Sequence, residues 1–130
     1  MKALLPFHLN KVGAGFPSPA TDYVEEDIDL NAHLIKNIPS TFIIRVQGKS
    51  MTDVGIHDGD LLIVDKSLNP KNFSTVIANV NEELVVKTFI KKEHQSFLTS
   101  ASKKIKDKIN LTENPEIFIW GVVTYVIHAL

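Results

Sequence analysis

From Thr41 onward, short apolar segments alternate with turn signals such as Asp58-Gly59 and Asn69-Pro70. The segments are rich in Val, Ile, Phe and Thr, which favour β-strands, and the turn signals keep most of them too short for helices. There are six: TFIIRVQ (41–47), DLLIVDK (60–66), STVIANV (74–80), EELVVKTFI (82–90), SFLTS (96–100) and IFIWGVVTYVIHA (117–129). This pattern predicts a mainly β fold, a compact antiparallel β domain.

The first 40 residues have a different character. Residues 1–20 contain three prolines and show no sustained hydrophobic period, which predicts an extended N-terminal arm. The segment DIDLNAHLIKN (27–37) has two leucines four residues apart, and Asp29 precedes them as a helix cap, so one short helix is predicted. We therefore expect two regions, an arm over residues 1–40 and a β domain over residues 41–130.

Composition excludes several classes of function. A net charge of −1 provides no basic surface for direct, sequence-specific DNA binding, which needs clustered Lys and Arg. The chain has no cysteine, so disulfides, cysteine-bound zinc and a cysteine nucleophile are excluded. The five histidines are scattered without ligand spacing, and no metal or other cofactor is expected. No apolar stretch approaches the ~20 residues of a membrane span, and no signal peptide is evident, which favours a cytoplasmic protein.

A candidate nucleophile lies between the first two β segments, in QGKSMTDVGIHDGD (47–60). Gly48 permits a sharp backbone turn, and Ser50 follows it at the end of a strand. Backbone N–H groups freed by such a turn can stabilise an oxyanion. Serine after glycine is also a common turn residue, so the loop alone leaves both interpretations open.

A second unusual residue is Lys87 in LVVKTFI, where Val85 and Phe89 share its face of a strand. An apolar wall disfavours the ammonium form, and a neutral lysine amine can accept the proton of a serine hydroxyl. The alternative is an edge-strand lysine whose charged end reaches water. Ser50 and Lys87 are thus a candidate serine–lysine dyad.

Other constellations have weaker support. His57 with Asp58 or Asp60 would give a triad with Ser50, but Asp also serves turn geometry in an Asp-Gly loop and nothing in the sequence orients the imidazole. A metal site built from Asp53, Asp58 and Asp60 lacks the ligand spacing of a calcium loop.

Three separated segments, GFPSPATDYVEEDIDLN, GKSMTDVGIHDGDLLIVD and ELVVKTF, resemble the UmuD branch of the LexA-type self-cleaving peptidases. The family's Gly-x-Ser-Met pattern falls on residues 48–51, and its Val-Lys pair ends at Lys87. Its scissile Ala-Gly or Cys-Gly bond falls on Ala14–Gly15. Only 14 residues precede that bond, which favours this branch over a repressor with a DNA-binding domain. Ser74-Thr75 departs from the Gly-Asp of many relatives.

The resemblance implies a mechanism and a set of partners. Ser50 would attack the Ala14 carbonyl, Lys87 would act as general base and then acid, and the backbone N–H groups of Lys49 and Ser50 would hold the oxyanion. No cofactor would be needed. A RecA–single-stranded DNA filament would promote the cut during the SOS response. The trimmed chain would form a homodimer and join a UmuC-type subunit in an error-prone translesion DNA polymerase.

Two rival functions stay open at this point. One is a non-catalytic accessory or binding module of a polymerase, and the other is a LexA-like repressor fragment. The apolar C-terminal stretch IFIWGVVTYVI (117–127) also favours a homodimer, since two-fold association is a common way to bury such a surface. The alternative is a strand that is wholly internal to the monomer.

Overall fold

The computed structural model describes residues 3–9, 11–15 and 25–130. The chain divides into two compact units, Met1–Lys36 and Asn37–Leu130. In the described part of the chain, no helix is both long and apolar enough to cross a membrane.

The first unit contains a pair of antiparallel strands, β1 (Leu4–His8) and β2 (Glu25–Asp29), followed by helix α1 (Leu30–Leu34). The Asp29 carboxylate accepts the Asn31 N–H at 3.1 Å, so the short helix and its predicted cap are confirmed. The strand pair was not predicted, because Pro6 interrupts the apolar pattern of β1. Residues 16–24, which hold most of the first resembling segment, lie outside the described residues.

The second unit is a seven-stranded antiparallel sheet with the order β3-β4-β9-β5-β6-β7-β8. Six strands match the six predicted segments, which confirms the mainly β fold, whereas the three-residue β8 was not predicted. Short 3₁₀ turns precede β3 and follow it. The strands are β3 (Thr41–Arg45), β4 (Leu61–Asp65), β5 (Thr75–Val80), β6 (Glu83–Lys92), β7 (Gln95–Thr99), β8 (Lys108–Asn110) and β9 (Phe118–Ile127).

Strand β9 joins the two halves of this sheet, pairing with β4 on one side and β5 on the other. The register shifts once on each side, between Ile63 and Val64 and between Ile77 and Ala78. Gly121 lies at this junction, where a Cβ would come within 2.6 Å of a Val64 methyl carbon. Only glycine therefore allows β4 and β9 to approach this closely.

The hydrophobic core has two clusters. One packs β5 against β6, β7 and β9, and it comprises Val76, Ala78, Phe89, Leu98 and Val122. The other draws in residues from the connection between β3 and β4, and it comprises Val46, Met51, Ile56, Leu62, Val64 and Ile77. Because part of that connection is core, its backbone is fixed by packing rather than left as a surface loop.

Candidate active site

Ser50 lies on the connection between β3 and β4, which we call the Ser50 loop (residues 46–60). The base of the loop is closed by two backbone hydrogen bonds of 2.8 Å, from Val46 N–H to the Asp60 carbonyl and from Gly59 N–H to the Val46 carbonyl. Gly48 adopts a left-handed conformation with φ of 104°, and its N–H donates to the Asp58 carboxylate at 2.8 Å. The sharp turn expected at Gly48 is thus confirmed.

Packing anchors the Ser50 loop directly after the serine. The Met51 side chain is 2% exposed and that of Ile56 is 1% exposed. The Met51 carbonyl accepts the N–H of Ile56 at 3.2 Å, which closes the turn. In the parts of the chain that the structure describes, the N–H groups of Lys49 and Ser50 have no acceptor. Two adjacent donors therefore remain available beside a half-buried hydroxyl.

Ser50 and Lys87 line the same cleft, which has a volume of about 320 Å³. Arg45, Gly48 and Met51 contribute from β3 and the Ser50 loop, and the Lys87 segment contributes from β6. Among residues 3–9, 11–15 and 25–130, no hydrogen bond joins the Ser50 hydroxyl to the Lys87 ammonium. The two candidates thus share a site but are not engaged with each other.

Lys87 has polar partners that the sequence did not indicate. Its Nζ donates to Asp107 Oδ2 and to Ser100 Oγ, each at 2.8 Å. The Lys87 side chain is only 12% exposed; on the same face, Phe89 belongs to the cluster around Val76 and Val85 packs against that cluster. The expected apolar wall is therefore present, but it is interrupted by a carboxylate.

The contacts of Asp107 with Lys87 and Ser100 change the pKa of its carboxyl group. Burial raises the pKa of Asp107, but hydrogen bonds from Lys87 and Ser100 outweigh it and hold the pKa below its usual range. The Ser100 N–H also donates to Asp107 Oδ1 at 2.7 Å, so both carboxylate oxygens are used. The carboxylate is consequently ionised at neutral pH and fixed in position opposite Lys87.

The connection from β7 to β8, which we call the Asp107 loop (residues 100–107), also contacts the Ser50 loop. The Ala101 N–H donates to the Ser50 carbonyl at 2.8 Å, and the Asp53 N–H donates to the Ala101 carbonyl at 2.7 Å. Sequence reasoning missed this loop as part of the site. The available signal was weak: Asp107 is the single acid in the lysine-rich stretch ASKKIKDKIN (101–110).

The residues of the alternative triad have other partners. Asp60 is 4% exposed, accepts the His57 backbone N–H at 2.8 Å and pairs with His128 Nδ1 at 2.5 Å. The hydrogen bond from His128 is the main reason that the pKa of Asp60 is lowered. In the described part of the chain, the His57 ring makes no hydrogen bond to Ser50. A serine–histidine–aspartate triad is therefore not assembled, and His128 was not anticipated from the sequence.

The predicted cleavage residues Ala14 and Gly15 belong to the first unit. Residues 11–15 are all exposed and form neither strand nor helix. A Cβ placed on Gly15 would meet no atom within 4 Å.

Comparison with known proteins identifies the family of this chain. The chain matches the Peptidase S24-like family over residues 6–124. It is 40% identical over 123 residues to Protein ImpA of Salmonella typhimurium, covering 95% of this chain and 83% of that protein. It is 38% identical over 128 residues to Protein SamA of Salmonella typhimurium, covering 98% and 88% of the two chains. It is 36% identical over 121 residues to Protein MucA of Escherichia coli, covering 93% and 82%.

The matched span includes the Ala14–Gly15 bond, the whole Ser50 loop, Lys87 and the Asp107 loop. With a family match over most of its length and several relatives above 30% identity, the chain belongs to the Peptidase S24-like family.

Proposed function

We propose that this chain is a self-cleaving serine peptidase that cuts its own Ala14–Gly15 bond with a Ser50–Lys87 dyad. In this proposal residues 41–130 are the peptidase domain, and residues 1–40 are the arm that carries the cleavage site. The observation that carries the proposal is the shared cleft of Ser50 and Lys87 in a chain of the Peptidase S24-like family.

The proposed reaction has two stages. Ser50 Oγ attacks the Ala14 carbonyl carbon while neutral Lys87 takes the hydroxyl proton, and the oxyanion accepts hydrogen bonds from the N–H groups of Lys49 and Ser50. Collapse breaks the C–N bond, and Lys87 returns the proton to the departing Gly15 amine. Water, deprotonated by Lys87, then hydrolyses the Ala14 ester and regenerates the Ser50 hydroxyl. No cofactor takes part in any step.

The position of β3 supports delivery of an extended substrate. Within the described residues β3 pairs only with β4, so its other side has backbone groups available for an added strand. β3 also leads directly into the Ser50 loop. Small residues such as Ala14 and Gly15 suit a tight approach to Ser50.

We further propose that the reaction belongs to the bacterial SOS response and takes place in the cytoplasm. A RecA–single-stranded DNA filament would stimulate the cut. The trimmed chain, residues 15–130, would form a homodimer and serve with a UmuC-type subunit in an error-prone translesion DNA polymerase. The three resembling segments and the family match support this proposal. Exposed apolar side chains near the C-terminus, including Tyr125 and Ile127, offer a surface for the dimer.

The test is an incubation of purified chain with and without RecA filaments, followed by mass spectrometry. We expect a product that begins at Gly15 and a rate increase with filaments, and light scattering of the product should give twice the chain mass. Ser50→Ala and Lys87→Ala should each lower the rate by at least about a thousandfold. Lys87→Arg should also fail, because a guanidinium stays charged. Cleavage that persists in Lys87→Ala would remove Lys87 from the mechanism, and an intact wild-type chain would favour the non-catalytic accessory function.

A further inference from the structure

The Lys87 ammonium forms two hydrogen bonds that suit its charged form. An ammonium has three donors and no acceptor, so it cannot take the proton of Ser50. Two of its donors go to the Asp107 carboxylate and the Ser100 hydroxyl, both at 2.8 Å. The arrangement in the structure is therefore chemically unreactive, although both members of the proposed dyad line the cleft.

Among the residues that the structure describes, no second carboxylate forms an ion pair with Lys87 beside Asp107. On β5, the register neighbour of Lys87 is the uncharged Val76. The other charged residue lining the cleft is Arg45 on β3, a cation whose guanidinium donates to the Gly59 carbonyl at 2.9 Å. Asp107 is thus the one carboxylate, among the described residues, that forms an ion pair with Lys87.

The Asp107 loop is also joined to the Ser50 loop. The Ala101 N–H donates to the Ser50 carbonyl, and the Ala101 carbonyl accepts the Asp53 N–H. These two hydrogen bonds lie on either side of Met51. A displacement of the Asp107 loop therefore alters the environment of Lys87 and the position of Ser50 together. The exposed fraction of the Asp107 side chain, 37%, leaves this ion pair open to water on one side, so it can separate without unfolding the core.

We propose that Asp107 is a positioning residue that holds Lys87 as a resting cation, and that separation of this ion pair is a required step before self-cleavage. The inference rests on the proposed function of Ser50 and Lys87. When the pair separates, the ammonium releases one proton to solvent, and the neutral amine then accepts the Ser50 proton. Ser100 assists by fixing one carboxylate oxygen while Lys87 binds the other.

The effect on pH dependence has a definite sign. The Asp107 carboxylate oxygen lies 2.8 Å from Lys87 Nζ, so its negative charge attracts the ammonium and not the neutral amine. Asp107→Asn removes the charge and keeps an oxygen that can accept the Ser100 N–H. The rising limb of cleavage rate against pH should then move to lower pH by about one unit, which makes the variant about tenfold faster near neutrality.

The experiment compares wild type, Asp107→Asn and the control Glu116→Gln from about pH 6 to about pH 10. Glu116 is exposed and lies outside the cleft, so its variant removes one negative charge elsewhere. We expect the shift in Asp107→Asn alone. A profile that coincides with wild type, or an Asp107→Asn chain that is folded but slower at every pH, would overturn the proposal while leaving the dyad intact.

A second measurement does not depend on cleavage. Cyanate carbamylates neutral amines, so its rate at Lys87, followed by peptide mass spectrometry, reports the availability of that form. In a Ser50→Ala background, Asp107→Asn should raise carbamylation of Lys87 about tenfold and leave the exposed Lys91 unchanged. Equal rates at Lys87 would overturn the inference. If wild type never cleaves itself, the proposed function fails, and the carbamylation rates still decide whether Asp107 holds the cation.

Discussion

The Ser50 loop and the segment 11–15 both lie outside the β-strands, but they differ in hydrogen bonding and burial. The loop is closed at its base by backbone hydrogen bonds and packs Met51 and Ile56 into the core. The segment is exposed throughout, with Val12 85% exposed. A catalytic group speeds the reaction more when its position is fixed, whereas a substrate segment must change conformation to enter a site. Substitutions should therefore affect folding stability in the loop and reactivity in the segment.

Among the substitutions that test this comparison, the largest expected effect is on reactivity, at Gly15. Gly15→Phe should slow cleavage by at least about a hundredfold, because a bulky side chain next to the scissile bond displaces the carbonyl from Ser50. Its thermal midpoint should match wild type, since a Cβ at this position meets no atom within 4 Å. A time course on gels together with a thermal melt measures both quantities. Val12→Ala is the control and should cleave normally; a Gly15→Phe chain cut at the same bond and rate would contradict the comparison.

The next effect is on stability, at Met51. Met51→Ala leaves a cavity in the first core cluster and should lower the free energy of unfolding by about 3 kcal/mol. Urea denaturation followed by tryptophan fluorescence measures it, since Trp120 packs against that cluster. Val54→Ala is the matched control in the same loop, because Val54 is 47% exposed and should change stability by less than about 0.5 kcal/mol. Equal losses in the two variants would mean that the loop is not anchored by its core residue.

The smallest effect is acid sensitivity at the base of the loop. Because the pKa of Asp60 is lowered in the folded chain, mainly by His128, its stabilising contribution is present above the unfolded value and is lost as pH falls through the folded value. Wild type should therefore lose urea resistance below about pH 4, and Asp60→Asn should lose less over the same range. Urea midpoints at several acidic pH values provide the test. Parallel curves for the two proteins would show that the Asp60–His128 pair does not anchor the loop.

Most of the sheet could be predicted because its strands carry local patterns. The six longer strands are runs of β-branched and aromatic residues bounded by turn signals, and each was identified from residues close in sequence. β8 escaped because its three residues, KIN, belong to a lysine-rich stretch. β1 escaped because Pro6 is atypical of a strand, and β2, Glu25–Asp29, is largely acidic.

The residues of the candidate site also fall into those that a local pattern indicates and those that it does not. Ser50 and Lys87 were identified from their immediate neighbours, a glycine turn in one case and an apolar strand in the other. Their partners were not, because Asp107 is 20 residues from Lys87 and His128 is 68 residues from Asp60. Such pairs form only when sheet order brings distant segments together, and no local pattern encodes that order.

The close approach at Gly121 makes two positions of the sheet a single steric unit. Gly121 on β9 and Val64 on β4 occupy one space, which holds a methyl group from Val64 and cannot hold a second from residue 121. A larger residue at 121 requires a smaller one at 64, or the strands must separate beside the register shift that carries β9 across the sheet. These positions are therefore free to vary only as a pair, although they are 57 positions apart along the chain.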